Sequence, residues 1–341
     1  MATFVVSSAP RRNWRAAQGL GLVLTGLLLV GLVSRSALTL HVLWDMVIPL
    51  LPAVFLVNPM LWRNVCPLAT LNAYTGQRMA TARLGGRRLR ASWAIGIVLL
   101  VVMVPARRIL FNVNGPALAI TIVTVAVLAT GAGAMYSRRA GFCNAICPVL
   151  PVEKLYGQSP LLRVASARCG DCNVCTPIGC IDLAGDKTMS QTLGPTRRST
   201  AWLATPFGVF AVAFPGFVIG YFTTGNGALA TAAGLYLHVL LWSAASAGTL
   251  AGTILLSRAP ARLTVPLLGG LAFGLYYWFA APALARAYGG GDTAIVCVRV
   301  AAAILLAAWV VKGQPPGSPV HVRLRSFEAR RARISIDSPA R

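Results

Sequence analysis

Residues 117–136 read ALAITIVTVAVLATGAGAMY, a run of twenty residues without a charged side chain. An α-helix needs about 20 mostly apolar residues to cross the hydrocarbon core of a bilayer, so this run predicts a membrane span. Seven similar runs are predicted at 17–33, 38–57, 92–111, 201–222, 229–256, 263–285 and 294–311. The sequence therefore predicts an all-α polytopic membrane protein with about eight transmembrane helices.

The composition agrees with this fold class. Of the 341 residues, 56% are hydrophobic and 11% are charged, whereas soluble domains carry about 25% charged residues. The net charge of +23 does not indicate a nucleic-acid partner, because Lys and Arg collect between alternate spans, as they do on the cytoplasmic side of membrane proteins. We expect a bacterial inner-membrane protein in contact with lipid, with both termini in the cytoplasm.

The predicted organisation alternates membrane and cytoplasmic segments. It consists of a cytoplasmic N-terminus (1–16), spans one to four (17–136) with a Cys-Pro loop (59–91), a cytoplasmic Cys-rich insert (137–200), spans five to eight (201–311) and a basic tail (312–341).

The insert carries a C-x2-C-x2-C-x4-C run formed by Cys169, Cys172, Cys175 and Cys180. Three cysteines at this spacing are typical of an iron–sulfur cluster, whereas zinc sites more often present separated pairs. The run is predicted to face the reducing cytoplasm, where thiolate clusters are expected and disulfides are not. It therefore predicts one [4Fe–4S] cluster in an electron-carrying protein.

Two further loops each place a cysteine before a proline. Cys66-Pro67 follows the second span, and Cys143-x3-Cys147-Pro148 follows the fourth. Proline suits the first position of a helix, so we expect Cys66 and Cys147 at helix N-termini, where backbone N–H groups favour an anionic cluster. The repeated order of span, span and Cys-Pro loop suggests an internal repeat.

The Cys143-x3-Cys147-Pro148 motif and the run at 169–180 together resemble the membrane polyferredoxin family that includes NapH-like, NosR-like and FixG/CcoG-like proteins. The resemblance covers roughly residues 59–182. Trp62 stands where a complete first motif would place a cysteine, and Ile181 stands where the run would place a proline. The resemblance implies single-electron transfer between a quinol pool or cytoplasmic donor, such as a ferredoxin, and a redox partner protein.

The ligand set can be divided in two ways. In two-cluster ferredoxins the fourth cysteine of a run binds the other cluster. On that pattern, Cys147 joins Cys169, Cys172 and Cys175 in one cube, and Cys66, Cys143 and Cys180 hold a second centre, either [4Fe–4S] or [3Fe–4S]. In the alternative, the four cysteines of the run hold a single cluster and the Cys-Pro loops are structural.

His41 and Asp45 lie four residues apart in the second span. Ionisable groups inside a membrane are costly, so the pair predicts either a quinone or proton-handling site or a local ion pair near the outer interface. His238 could join His41 as a haem ligand, but the two are expected at different depths, so haem is disfavoured. Cys297 in the last span is expected to be a small buried residue.

The leading functional hypothesis is an electron-transfer subunit rather than a self-contained enzyme, because no nucleotide-binding fingerprint is present in the sequence. An alternative is an accessory factor for cofactor maturation or metal reduction. A transporter is a third hypothesis, which the sparse intramembrane charge disfavours.

Overall fold

The computed structural model describes residues 11–78, 86–136, 141–162 and 200–313. Within these ranges every regular element is helical and none is a strand. In this described part of the chain, eight helical stretches are long and apolar enough to cross a membrane, which agrees with the predicted number of spans. The cysteine run at 169–180 and the basic tail beyond 313 lie outside the described residues.

The spans agree with the predicted ranges to within a few residues. They are Asn13–Ser34, Ser36–Val57, Arg90–Phe111, Gly115–Met135, Pro206–Thr223, Leu229–Ser257, Ala261–Ala287 and Asp292–Lys312.

The α-helices of the described ranges are numbered in chain order. They are α1 (Arg11–Ser34), α2 (Ser36–His41), α3 (Leu51–Val57), α4 (Pro59–Val65), α5 (Pro67–Arg78), α6 (Gly86–Ala106), α7 (Gly115–Met135), α8 (Leu150–Tyr156), α9 (Pro206–Thr223), α10 (Ala232–Ser257), α11 (Ala261–Ala287) and α12 (Asp292–Gly313). Short π-helices cover Val42–Val47, Arg107–Phe111 and Phe142–Ile146, and 3-10 turns cover Ile48–Leu50, Ala201–Ala204 and Leu229–Thr231.

The outer surface of the bundle is apolar. Large hydrophobic side chains such as Val30, Ile120, Leu241 and Ile304 are exposed along four different helices. A water-soluble monomer rarely exposes so much contiguous apolar surface, whereas hydrocarbon tails solvate it well. The helical backbone satisfies its own hydrogen bonds, as a lipid environment requires. The surface therefore supports lipid contact around the bundle.

The core of the bundle is aromatic and forms around α9. Phe210, Phe214 and Phe217 follow one another along this helix, with ring centroids 4.8 and 5.8 Å apart. Tyr156 is the last residue of α8. Its ring centroid lies 6.4 Å from that of Phe214 and 5.9 Å from that of Phe273 of α11. Phe214 is eight residues into α9, about 12 Å along its axis. The short α8 helix thus inserts among the spans.

The second span is broken, whereas the sequence predicts one continuous helix. It passes from α2 through a π-helix and a 3-10 turn into α3. Pro49 and Pro52 lie at the breaks and cannot donate backbone hydrogen bonds. The hydroxyl of Tyr277 donates to Pro49 O (2.8 Å) and accepts from Ala53 N (3.2 Å). The Tyr277 hydroxyl therefore bridges Ala53 N and Pro49 O, which would bond directly to each other in a continuous α-helix.

The fifth span begins later than predicted. Residues 201–204 form a separate 3-10 turn, and α9 starts at Pro206. The hydroxyl of Thr205 accepts a hydrogen bond from Gly208 N at 3.0 Å, which caps the helix. The cap and the proline at the first helical position together fix this start.

Candidate functional site

Cys66 and Cys147 occupy the same kind of backbone turn. Cys66 separates α4 from α5 with φ −54° and ψ 125°, and Cys147 follows the third π-helix with φ −60° and ψ 123°. Both dihedral pairs are extended, and each cysteine is followed by a proline. The helix expected after each proline begins at once at Pro67, but only at Leu150 after Cys147. The local repeat predicted from the sequence is therefore present as a repeated Cys-Pro turn.

The two loops meet in one apolar cluster. Cys143 is buried there beside Ala69 of α5 and Ala129 of α7, and Cys66 and Cys147 pack against the same cluster. The three cysteines come from segments about 80 residues apart in the chain. All three cysteines of the described loops therefore contact one apolar cluster, while their sharing of metal sites with the run stays a prediction.

Cys147 lies in a strongly desolvated environment. Burial raises the pKa of its thiol to about 12, with further raising contributions from Glu153 and Cys66 and lowering contributions from the Val149 N–H and Arg63. The thiol is therefore protonated at neutral pH, and binding a metal ion at this position would release its proton. The Val149 N–H donates a hydrogen bond to this sulfur, so one backbone donor points at it.

A buried ion pair joins the two loops. Arg63 Nη1 of α4 lies 2.6 Å from Glu153 Oε2 of α8, and each side chain is only 3% exposed. The same guanidinium donates to Asn144 Oδ1 at 2.8 Å and to Cys143 O at 3.5 Å. Sequence reasoning treated Arg63 only as an orientation marker and did not single out Glu153. The sequence did contain a signal for Glu153: the whole chain has only eight acidic residues, so an acid in a Cys-Pro loop is notable.

Side-chain hydrogen bonds fasten the first loop to α1 and α7. Gln18 Nε2 donates to Asn64 O at 2.9 Å, and Asn72 Nδ2 donates to Ala129 O at 2.8 Å. Ala129 lies six residues before the end of α7, about 9 Å along the helix. Because irregular backbone at membrane depth is tolerated only where protein surrounds it, these contacts explain how Cys66 can lie below the helix ends.

The second loop is fastened to α6. Trp93 Nε1 donates to Asn144 O at 3.0 Å, and Lys154 Nζ lies 3.6 Å from the centroid of the Trp93 ring. An ammonium group over an indole face is an attractive arrangement, and more so when water is excluded. Lys154 is buried, so Trp93 helps to stabilise a cation beside the cysteine cluster.

Gly133 allows α5 to approach α7 closely. A Cβ atom at this position would lie 2.3 Å from Asn72 O and 2.3 Å from Thr75 Oγ1. By contrast, Gly131, two residues earlier on the same helix, faces open space. The absence of a side chain at 133 therefore lets α5, the helix that follows Cys66, pack closely against α7, which both Cys-Pro loops contact.

The remaining predicted ligands, Cys169, Cys172, Cys175 and Cys180, lie outside the described residues. The chain leading to them is fixed at Leu162, whose N donates to Val57 O at 3.1 Å and whose O accepts from Asn58 Nδ2 at 2.7 Å. Asn58 also caps α4 through Met60 N at 2.7 Å. The segment that contains the run therefore starts beside the helix that ends at Cys66.

The donor set matches an iron–sulfur centre in type but is incomplete in the described ranges. Thiolates are the usual ligands of such clusters. Within residues 11–78, 86–136, 141–162 and 200–313, no three His, Cys, Asp or Glu side chains form a group that could hold a metal ion. A complete site would therefore require cysteines from the run at 169–180 in addition to Cys66, Cys143 or Cys147.

A second polar cluster lies at the opposite end of the bundle, where α1 ends and α2 begins. His41 Nδ1 is 2.9 Å from Asp45 Oδ2, so the predicted pair forms. Arg107 Nη2 adds a contact to Asp45 Oδ1 at 3.2 Å. The sequence did not predict this third member. The His41–Asp45 pair thus forms locally and is joined by a cation from the third span. A quinone or proton-handling role for His41 and Asp45 stays a prediction.

Arg107 and the residue after it are held by neighbouring spans. Arg107 Nε donates to Asn112 Oδ1 at 2.8 Å, and Nη1 donates to the hydroxyl of Tyr221 at 3.2 Å. Arg108 lies over the Tyr221 ring at 4.7 Å. Helix α6 continues through Pro105, and the following π-helix carries both arginines. These contacts explain how the third span accommodates two cations near its end.

Three other polar or sulfur positions in the spans have defined surroundings. His238 Nε2 lies 2.8 Å from Thr223 Oγ1. Arg299 Nη2 donates to Trp278 O at 3.0 Å and its guanidinium lies 4.1 Å from the Trp278 ring. Cys297 is exposed on the outside of α12, so the expectation that it is buried was wrong. Its place on a lipid-facing side of the last helix separates it from the cysteine cluster.

Comparisons of the chain with protein-family models, with curated proteins and with solved structures give no match.

Proposed function

We propose that this protein is a membrane-anchored iron–sulfur protein that relays single electrons between a quinone pool or a cytoplasmic donor and a redox partner protein. The observation that carries the proposal is the convergence of two identical Cys-Pro turns, from loops far apart in the chain, on one buried cluster. A turn with a purely structural role does not require a cysteine. The presence of three cysteines in contact with the same apolar cluster therefore favours a ligand role.

Cysteines of the two Cys-Pro loops and of the run at 169–180 would share the ligand positions. Cys147 would join Cys169, Cys172 and Cys175 on one cluster, and Cys66, Cys143 and Cys180 would hold a second. The bound group would supply one-electron chemistry. The apolar cluster of Ala69, Ala129 and Phe142 buries Cys143 and half-buries Cys66 and Cys147, and limited access of water would influence the potential of such a centre. The anchor at Leu162 places the start of the segment that leads to the run beside Val57 and Asn58.

The proposal also includes a place in the cell. The cysteine loops, together with both termini, would face the cytoplasm of a bacterial inner membrane, where thiolates remain reduced. A ferredoxin-type donor would approach from that side, and quinone would approach through lipid.

The iron and acid-labile sulfide content of the purified full-length protein tests this function. We expect about four irons and four sulfides per chain for one cube, or seven to eight for two centres, with an EPR signal in the dithionite-reduced state. A [3Fe–4S] signal in the oxidised state would identify the second centre. Protein that is purified and reconstituted without oxygen but contains no iron or sulfide, or contains zinc instead, would contradict the proposal.

A further inference from the structure

Arg63 and Glu153 form the most buried ion pair in the described part of the chain. Their 2.6 Å contact connects α4 with α8, and neither side chain is more than 3% exposed. The Asp45–Arg107 pair at the opposite end is 34% and 20% exposed. The pair thus lies inside protein and links two loops that would otherwise touch mainly through apolar contacts.

Both partners are close in sequence to the cysteines. Arg63 precedes Cys66 by three residues and lies about one helical turn from it. Glu153 follows Cys147 by six residues, and the other acceptors of the Arg63 guanidinium are Asn144 Oδ1 and Cys143 O. A single planar cation therefore contacts three points of the second loop while its own helix positions Cys66. Such a fork fixes orientation as well as distance.

Stability alone gives a weak reason for this arrangement. Burying two charges costs desolvation energy that often cancels their attraction, and apolar replacements of similar volume are frequently as stable. The best attested role of buried ionic groups is to select one register over others.

We infer that Arg63 and Glu153 are positioning residues: they hold the two Cys-Pro loops in the register that brings Cys66, Cys143 and Cys147 to one apolar cluster. This statement does not depend on a cofactor.

The measurement is chemical cross-linking of iron-free, full-length protein with a short bifunctional mercurial, which displaces the proton of a neutral thiol, read by mass spectrometry of the linked peptides. We expect a Cys66–Cys147 or Cys66–Cys143 product in the parent protein. Its yield should fall several-fold in Glu153→Gln and in Arg63→Lys, which lacks the planar fork. Asp45→Asn, which alters the exposed pair, is the matched control and should give the parent yield.

If a single variant fails to accumulate in the membrane, the double variant Arg63→Gln with Glu153→Gln removes both charges and keeps hydrogen-bonding groups in place, and should show the same loss of cross-link.

The outcomes separate the two proposals. An unchanged cross-link yield in Glu153→Gln, Arg63→Lys and the double variant would overturn the positioning role. Protein without iron would contradict the proposed function, and the cross-linking result would still decide whether the pair sets the register.

Discussion

A Cys147→Ser variant of the full-length protein is expected to retain almost none of the iron that would be bound at the centre it shares with the run. The reason is that Cys147 is the described cysteine with the most complete setting for a ligand: it lies in the repeated turn, it is desolvated, and the Val149 N–H points at its sulfur. Serine keeps the size but replaces the thiolate, the ligand such clusters require. Iron and sulfide per chain, with the amplitude of the EPR signal, measure the effect.

The chain offers a matched control in Cys297→Ser. Cys297 is exposed on the outside of the last span, so its replacement should leave iron content and spectra at the parent level. Cys66→Ser and Cys143→Ser should reduce the second centre and spare the first. Equal iron in Cys147→Ser and in Cys297→Ser would assign all ligands to the run at 169–180 and make the Cys-Pro loops structural, as in the one-cluster alternative.

Gly133→Ala is expected to destabilise the protein by roughly 1–3 kcal/mol, a typical effect of overpacking a close contact. The new methyl group would overlap Asn72 O and Thr75 Oγ1, so α5 would have to move away from α7 and take Cys66 with it. The temperature of half-unfolding in detergent should fall, and the Cys66–Cys147 cross-link should weaken.

The matched control is Gly131→Ala on the same helix. Its Cβ would meet nothing within 4 Å, and alanine favours a helix over glycine by about 0.5–1 kcal/mol. The two substitutions should therefore change the unfolding temperature in opposite directions. Equal effects would show that Gly133 reflects helix propensity alone and that α5 is not held by this contact.

The spans could be predicted from the sequence because lipid imposes a length and a polarity on each helix independently of its neighbours. Residues 115–135 are an example, since the predicted and observed spans differ by two residues at the start and one at the end. The Cys-Pro turn was also predictable, because proline restricts the backbone locally. Both features depend on short stretches of chain.

Features that depend on distant partners were not predictable in this way. Glu153 is 90 residues from Arg63, and neither segment carries a sequence pattern that indicates contact with the other. The break in the second span could be suspected from Pro49 and Pro52, but its form depends on Tyr277, which lies more than 220 residues away. Cys297 resembles a core residue in type, and its exposure follows from the position of α12 at the outside of the bundle.

The separation between Arg63 and Glu153 has a consequence for biosynthesis. At a synthesis rate of 5–20 residues per second, about 5 to 18 s pass between the appearance of the arginine and that of its carboxylate. During this interval the guanidinium lacks the carboxylate that neutralises it, and the first loop cannot settle into its buried position without leaving a charge uncompensated. The first Cys-Pro loop should therefore remain near the membrane surface until the fourth span has been inserted. Metal loading would then be a late step that follows completion of both loops.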